Sequence, residues 1–102
     1  MKCLGVESTA HTFSCAVLER KGQRGEILSD IRKIYGPPDG EGIHPREASR
    51  HHVENGSTAL VEALQKAKIS VTDLDIISYA AGPGLGPCLR VGAVVSRALA
   101  YY

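Results

Sequence analysis

Leu74-Asp-Ile-Ile-Ser-Tyr-Ala80, then Gly82-Pro-Gly-Leu-Gly-Pro87, then the fifteen residues from Cys88 to Tyr102 form the stretch on which the fold turns. Ile76 to Ala80 is short and apolar enough for a buried strand, and the glycine and proline cluster reads as a tight loop. Cys88 to Tyr102 reads as a helix whose only strongly polar positions are Arg90, Ser96 and Arg97. A helix that is apolar on most sides needs cover on most sides. Cys88, Gly92, Val95, Leu99 and Tyr102 fall on one side of it, and Val91, Val94 and Ala98 on another.

Upstream, Pro45 suits the first turn of a helix. Val53, Leu60, Leu64 and Ala67 then recur at the spacing of one helical face, although Gly56 interrupts the pattern. Ser70 to Asp73 makes a turn, and Gly36-Pro-Pro-Asp-Gly40 breaks any regular element. Glu26 to Tyr35, with Ile27, Ile31 and Ile34 among polar residues, fits an edge strand. At the N-terminus Lys2 to Val6 and Phe13 to Leu18 are apolar runs joined by the polar loop Glu7-Ser-Thr-Ala-His-Thr12, a strand-loop-strand reading. The resulting α/β order, β-β-β-α-β-α, is that of the ribonuclease H-like unit from which each lobe of actin-like ATPases is built. The first and fourth strands are expected to run parallel through a right-handed crossover. Ligands bind such sheets beyond the carboxyl ends of parallel strands. The Glu7–Thr12 and Gly82–Gly86 loops should therefore open onto one crevice.

The chain of 102 residues has room for one domain, with an ordinary 43% hydrophobic content. A domain of this size leaves much apolar surface exposed, so a partner or a further lobe is expected to cover part of it. Twelve Lys and Arg against eleven Asp and Glu give a net charge of +1, which provides no broad pull toward nucleic acid. The clusters Arg20/Lys21/Arg24, Arg32/Lys33 and Lys66/Lys68 read first as solvated surface charge. Cys3, Cys15 and Cys88 are odd in number, widely spaced and without a CxxC pattern, which argues against a disulfide framework and a zinc knuckle. With no leader-like segment and no stretch of membrane-spanning length, a cytoplasmic protein with no membrane partner is expected.

Two loops carry the candidate chemistry. Ser8, Thr9 and Thr12 offer hydroxyls, and the turn offers backbone N–H groups, which together can cradle phosphate oxygens. Glu7 is placed to order a water or approach a metal-bound phosphate, and a polar hairpin that merely turns the chain is the alternative. In the second loop Gly82, Gly84 and Gly86 permit close backbone approach to a ligand, and the following helix presents its N-terminal N–H groups. A strand-to-helix connection that needs glycine for packing alone is the alternative there. The loop matches neither the dinucleotide GxGxxG pattern nor the P-loop. His51 and His52 are adjacent and should diverge by about 100°, and His44 is at no ligand spacing from them. Cys88, at a helix N-terminus, is the one thiol expected to be acidified.

Three blocks stand in a specific order: Leu4-Gly-Val-Glu-Ser-Thr-Ala-His-Thr-Phe13, Gly42-Ile-His-Pro-Arg-Glu-Ala-Ser-Arg-His-His52, and Ala81-Gly-Pro-Gly-Leu-Gly-Pro-Cys-Leu-Arg-Val-Gly92 with Ser96-Arg-Ala-Leu99. In order and spacing they resemble the start of the archaeal and eukaryotic KEOPS catalytic subunit, the counterpart of bacterial TsaD, across the whole chain. Gly40-Glu41-Gly42 departs from the adjacent glycines common in relatives, which touches only the loop's shape. The resemblance implies an actin-like ATPase fold that transfers a threonylcarbamoyl group from its adenylate to adenosine 37 of tRNAs reading codons that begin with A. It implies that Ser8, Thr9, His11, Thr12, Gly82, Gly84 and Gly86 lie at ATP or the adenylate, with Glu7, His44 and Glu47 near the mouth of the site. The family's divalent metal, iron or zinc, is held mainly by an His-x-x-x-His pair beyond Tyr102. On that basis residues 1–102 are expected to be an incomplete N-terminal lobe, ending before its fifth strand, with the second lobe absent and no activity alone. KEOPS subunits are the expected partners, the small dimerising subunit above all, docking on Val94, Ala98 and Tyr101. Contact with tRNA would come through the assembled complex. A docking module without chemistry of its own is the alternative reading.

Overall fold

Strands β1 (Lys2–Glu7), β2 (Thr12–Lys21), β3 (Arg24–Ile34) and β4 (Ile76–Tyr79) form one sheet in the order β3-β2-β1-β4, in a computed structural model that describes Met1 to Tyr102. Helix α1 (Pro45–Ala67) precedes β4 and α2 (Gly86–Tyr101) follows it. β1 pairs antiparallel with β2 and parallel with β4, as the sequence order predicts. β3 lies at one edge, as expected, and β4 forms the other, so it is not the buried strand its apolar run suggests: it has a neighbour on one side only, and Ile76 is 44% exposed.

Alternation places Leu4, Val6, Phe13, Cys15, Val17 and Ile31 on one face, where all are buried, and α1 packs there through Ala59 and Ala63. Each large side chain buried this way contributes about 1.5–3 kcal/mol. Two polar contacts fix α1 across β3: Ser29 Oγ donates to the Ala63 carbonyl at 2.8 Å, and Lys33 Nζ meets Glu62 at 2.9 Å.

The helix face the apolar spacing predicts is met in part: Leu60, Leu64 and Ala67 pack partly buried against the core, but the fully buried positions lie beside them. Ala48, His52, Gly56, Ala59 and Ala63 are buried, whereas Val53 is 67% exposed. Small residues win this face because α1 lies close over the sheet; a Cβ on Gly56 would come within 3.3 Å of the Phe13 ring. Gly56 therefore seats an aromatic ring without breaking the helix. The β2–β3 hairpin is also longer than its apolar core: it runs to Lys21 and resumes at Arg24 around Gly22 at φ +63°. Its tip is charged and solvated, with Glu19 paired to Lys2 and Lys21, so hydrophobic pattern carries no signal there. α2 begins at Gly86, two residues ahead of the expected Cys88.

Candidate functional site

β1 and β4 run parallel, so the chain leaves both at the same end of the sheet, and the two candidate loops meet there. They are in direct contact. Leu85 N–H donates to the Thr9 carbonyl at 2.7 Å, and a Cβ on Gly84 would lie 2.5 Å from that same oxygen. Gly84 is thus required by packing. Gly86 has open space around it, and the nearest atom to a Cβ on Gly82 is a Leu89 methyl at 4.0 Å. Those two glycines have no such packing demand and leave the backbone open to a ligand.

Ser8 differs from its neighbours. It is buried, its Oγ donates to the Cys88 carbonyl at 2.7 Å, and it accepts from Gly92 N–H at 3.0 Å. It bridges two backbone groups one helical turn apart and pins the loop to α2. Thr9 N–H donates to a Glu7 carboxylate oxygen at 2.9 Å, and the Thr9 hydroxyl donates to the same oxygen. The other Glu7 oxygen has only a 3.5 Å contact from Ser14 Oγ and keeps capacity to accept. His11 is exposed, with Nδ1 2.6 Å from Thr12 Oγ1.

The first turns of both helices border this end. Neither α1, with His44 at its N-cap, nor α2, with Leu85, has a side-chain cap. Cys88 Sγ lies 3.9 Å from the Pro45 carbonyl, so the two N-termini converge. Orphan N–H groups and the positive ends of two helix dipoles favour an anion there without any Lys or Arg. His44 is exposed and 3.4 Å from Glu41, while Glu47 accepts from the Tyr35 hydroxyl at 2.9 Å. His44 is the N-cap of α1 and Glu47 lies in its first turn.

Two expectations are corrected. Cys88 is fully buried, and loss of hydration pushes its thiol pKa up rather than down. His51 and His52 do not diverge: their Nδ1 atoms are 3.1 Å apart and their rings meet nearly edge-on at 5.3 Å. Sequence reasoning missed His52 itself, which is fully buried with Nε2 2.7 Å from the Ala10 carbonyl of the first loop. Its spacing of four before Gly56 on the buried face was the available signal. No three His, Cys, Asp or Glu side chains come together to hold a metal ion.

Away from the loops, a groove of about 490 Å³ runs between α1 and α2, lined by Val53, Leu60, Val91, Val94, Val95 and Ala98 among others. Val94 is 66% exposed and Tyr101 stands out beyond it at 92%. No helix is long and apolar enough to cross a membrane.

Among solved structures the chain is similar to YeaZ from Pseudomonas aeruginosa, with a TM-score of 0.72 at 17% identity, covering 99% of this chain and 40% of that one. An exopolyphosphatase from Cytophaga hutchinsonii shares the fold more distantly, with a TM-score of 0.53 at 14% identity over 97% of this chain and 29% of that one. These likenesses agree with the ribonuclease H-like, actin-like lobe expected from the element order. By sequence it is 51% identical over 100 residues to the tRNA N6-adenosine threonylcarbamoyltransferase of Pyrobaculum islandicum, covering 98% of this chain and 29% of that protein. It is 50% identical over 102 residues to that of Ignicoccus hospitalis, covering 100% of this chain and 30% of that protein. The chain spans about three tenths of the length of the curated relatives it matches. The family model for TsaD, tRNA N6-adenosine threonylcarbamoyltransferase, matches residues 26–102. Since that match takes in the glycine loop and both helices around it, the chain belongs to the tRNA N6-adenosine threonylcarbamoyltransferase family.

Proposed function

We propose that these residues supply the first-lobe side of the nucleotide cleft in the transferase that forms N6-threonylcarbamoyladenosine at position 37 of tRNAs reading codons that begin with A. The observation that carries this reading is the meeting of the Glu7–Thr12 and Gly82–Gly86 loops, beside two uncapped helix N-termini, in a member of this family. The phosphates of ATP or of threonylcarbamoyl-adenylate fit there. Thr9, His11 and Thr12 border one side, Gly82 and Gly86 lend open backbone on the other, and Gly84 and Ser8 hold the two sides together. The adenylate supplies the activated acyl group; the residues here bind and orient its phosphate and favour the charge on it. Glu7, His44 and Glu47 flank the entrance.

The test is reconstitution. The chain is combined with the remainder of the transferase, tRNA and threonylcarbamoyl-adenylate, and modification of adenosine 37 is measured. Modification that depends on this chain and is lost with Gly86→Trp is the expected result. No modification under those conditions would overturn the reading.

The groove between α1 and α2 favours a second role alongside the first. Its apolar lining and the exposed Val94, Ala98 and Tyr101 suit docking of a small dimerising KEOPS subunit, and tRNA would then be reached through the assembled complex. The same surface, without the cleft chemistry, is what a pure docking module would use.

A further inference from the structure

We propose that His52 is a positioning residue for the Glu7–Thr12 loop, its imidazole fixing the Ala10 carbonyl and thereby aiming the His11 N–H outward, with His51 setting the tautomer this requires. The inference deepens the cleft reading above and rests on it for its functional meaning.

A carbonyl oxygen only accepts, so the 2.7 Å contact from His52 Nε2 to Ala10 requires the proton on Nε2. In the neutral ring Nδ1 is then an acceptor. It faces His51 Nδ1 at 3.1 Å, so the His51 proton lies on that nitrogen and is donated to His52. Burial pushes the His52 pKa down, which keeps the ring neutral; the groups facing it are His51 on its own helix and Glu7 and His11 on the loop. The ring has no room to turn. Phe13 packs beside it with centroids 6.0 Å apart, and Gly56, one turn on, lets that ring sit close.

A buried histidine commonly satisfies its own helix or a neighbouring core group. This one is matched to a carbonyl 42 residues away, within the candidate ligand loop. The trans peptide is planar, so the Ala10 C=O and the His11 N–H point in opposite directions. With the carbonyl turned in toward a fully buried ring, the N–H turns out, on the exposed side where His11 lies. A second tether supports the first. Tyr35 N–H donates to the His11 carbonyl at 2.7 Å, its ring lies 5.8 Å from that of His51, and its hydroxyl binds Glu47. Two consecutive loop carbonyls are therefore held from α1 and the end of β3, and the peptide between residues 10 and 11 cannot rotate without breaking a hydrogen bond.

The test uses the full chain labelled with 15N. Long-range imidazole spectra near neutral pH should show His52 protonated at Nε2 alone; a ring protonated at Nδ1, or a mixture of tautomers, would overturn the proposal. His52→Leu should move or broaden the His11 and Thr12 amide resonances and weaken ATP binding up to about tenfold, the worth of one hydrogen bond. His52→Gln, which keeps an N–H donor, should restore most of both. If His52→Leu does not fold, His51→Phe decides the matter: it keeps the contact with Tyr35, removes the proton given to His52, and should shift the His11 amide with little change in thermal midpoint. Loop amides that superimpose on those of the wild type in these variants would sink the idea. The ring and amide readouts need no ligand, so a wild-type chain that fails to bind ATP counts against the cleft reading alone.

Discussion

At position 92 a Cβ would lie 2.6 Å from the Ser8 hydroxyl oxygen, and that single distance explains both residues. Ser8→Ala should cost about 1–2 kcal/mol, because Cys88 O and Gly92 N–H lose a buried partner. Gly92→Ala should cost about 1–3 kcal/mol by overpacking. In the double variant the offending oxygen is gone, so urea denaturation should show a combined cost below the sum by more than about 0.5 kcal/mol; strict additivity would show the two sites are uncoupled. His52 gives a pH signature. Its folded pKa lies below the ordinary 6.5, so the unfolded chain binds more protons as pH falls past that value. Its contribution to stability is full above about pH 6.5 and is lost as pH drops through the folded pKa. The urea midpoint should fall between about pH 7 and pH 5, with a shallower slope in His52→Gln; an equal slope in both would remove His52 as the cause.

α1 ends on Lys68, which adopts the left-handed conformation at φ 58° while its N–H bonds back to Leu64 and Gln65. Glycine takes that conformation without steric cost, so Lys68→Gly should raise stability by up to about 1 kcal/mol in the same denaturation experiment. On α2, Val94→Glu and Ala98→Glu alter residues that are already exposed, so stability should hold within about 0.5 kcal/mol. If the proposed docking of a small dimerising KEOPS subunit uses this face, its association, measured by calorimetry, should drop at least about tenfold in these variants; unchanged binding would overturn the proposed docking surface. The elements were legible in the sequence where one physical signal dominated. Pro45 marked the start of α1, Gly36 to Gly40 marked a break, and Ile76 to Tyr79 gave the fourth strand, though at an exposed edge of the sheet and not in its buried interior. On α1 the core-facing Leu60, Leu64 and Ala67 were legible, but the fully buried positions were not, because close approach to the sheet selects mostly Ala and Gly, residues that carry little hydrophobic signal. The hairpin tip escaped for the opposite reason: its strands continue as charged, solvated backbone, where pairing alone keeps the β form.

For the whole molecule, the meeting of the two loops could be read from β1 and β4 running parallel, since topology alone brings their ends together. The division of labour inside the loops could not. Whether a serine faces a ligand or a helix, and whether a glycine serves packing or access, depends on contacts between residues some 80 positions apart, as Ser8 and Cys88 are. That separation also has a kinetic meaning. The β1–β2–β3 meander is built from neighbouring segments and closes small loops, whereas the Ser8–Cys88 and Thr9–Leu85 joints close one of the longest loops in the chain. The joints are therefore expected to form late in folding, after the rate-limiting barrier. Gly84→Ala, whose methyl would strike the Thr9 carbonyl, should then steepen loss of the native state by speeding unfolding in stopped-flow experiments while the refolding rate stays near that of the wild type. A matching fall in the refolding rate would instead put the joint in the nucleus. During synthesis the order is stricter still: the Glu7–Thr12 loop emerges first and has neither joint until Leu85 and Cys88 have left the ribosome, so the nascent chain carries this loop untethered to α2.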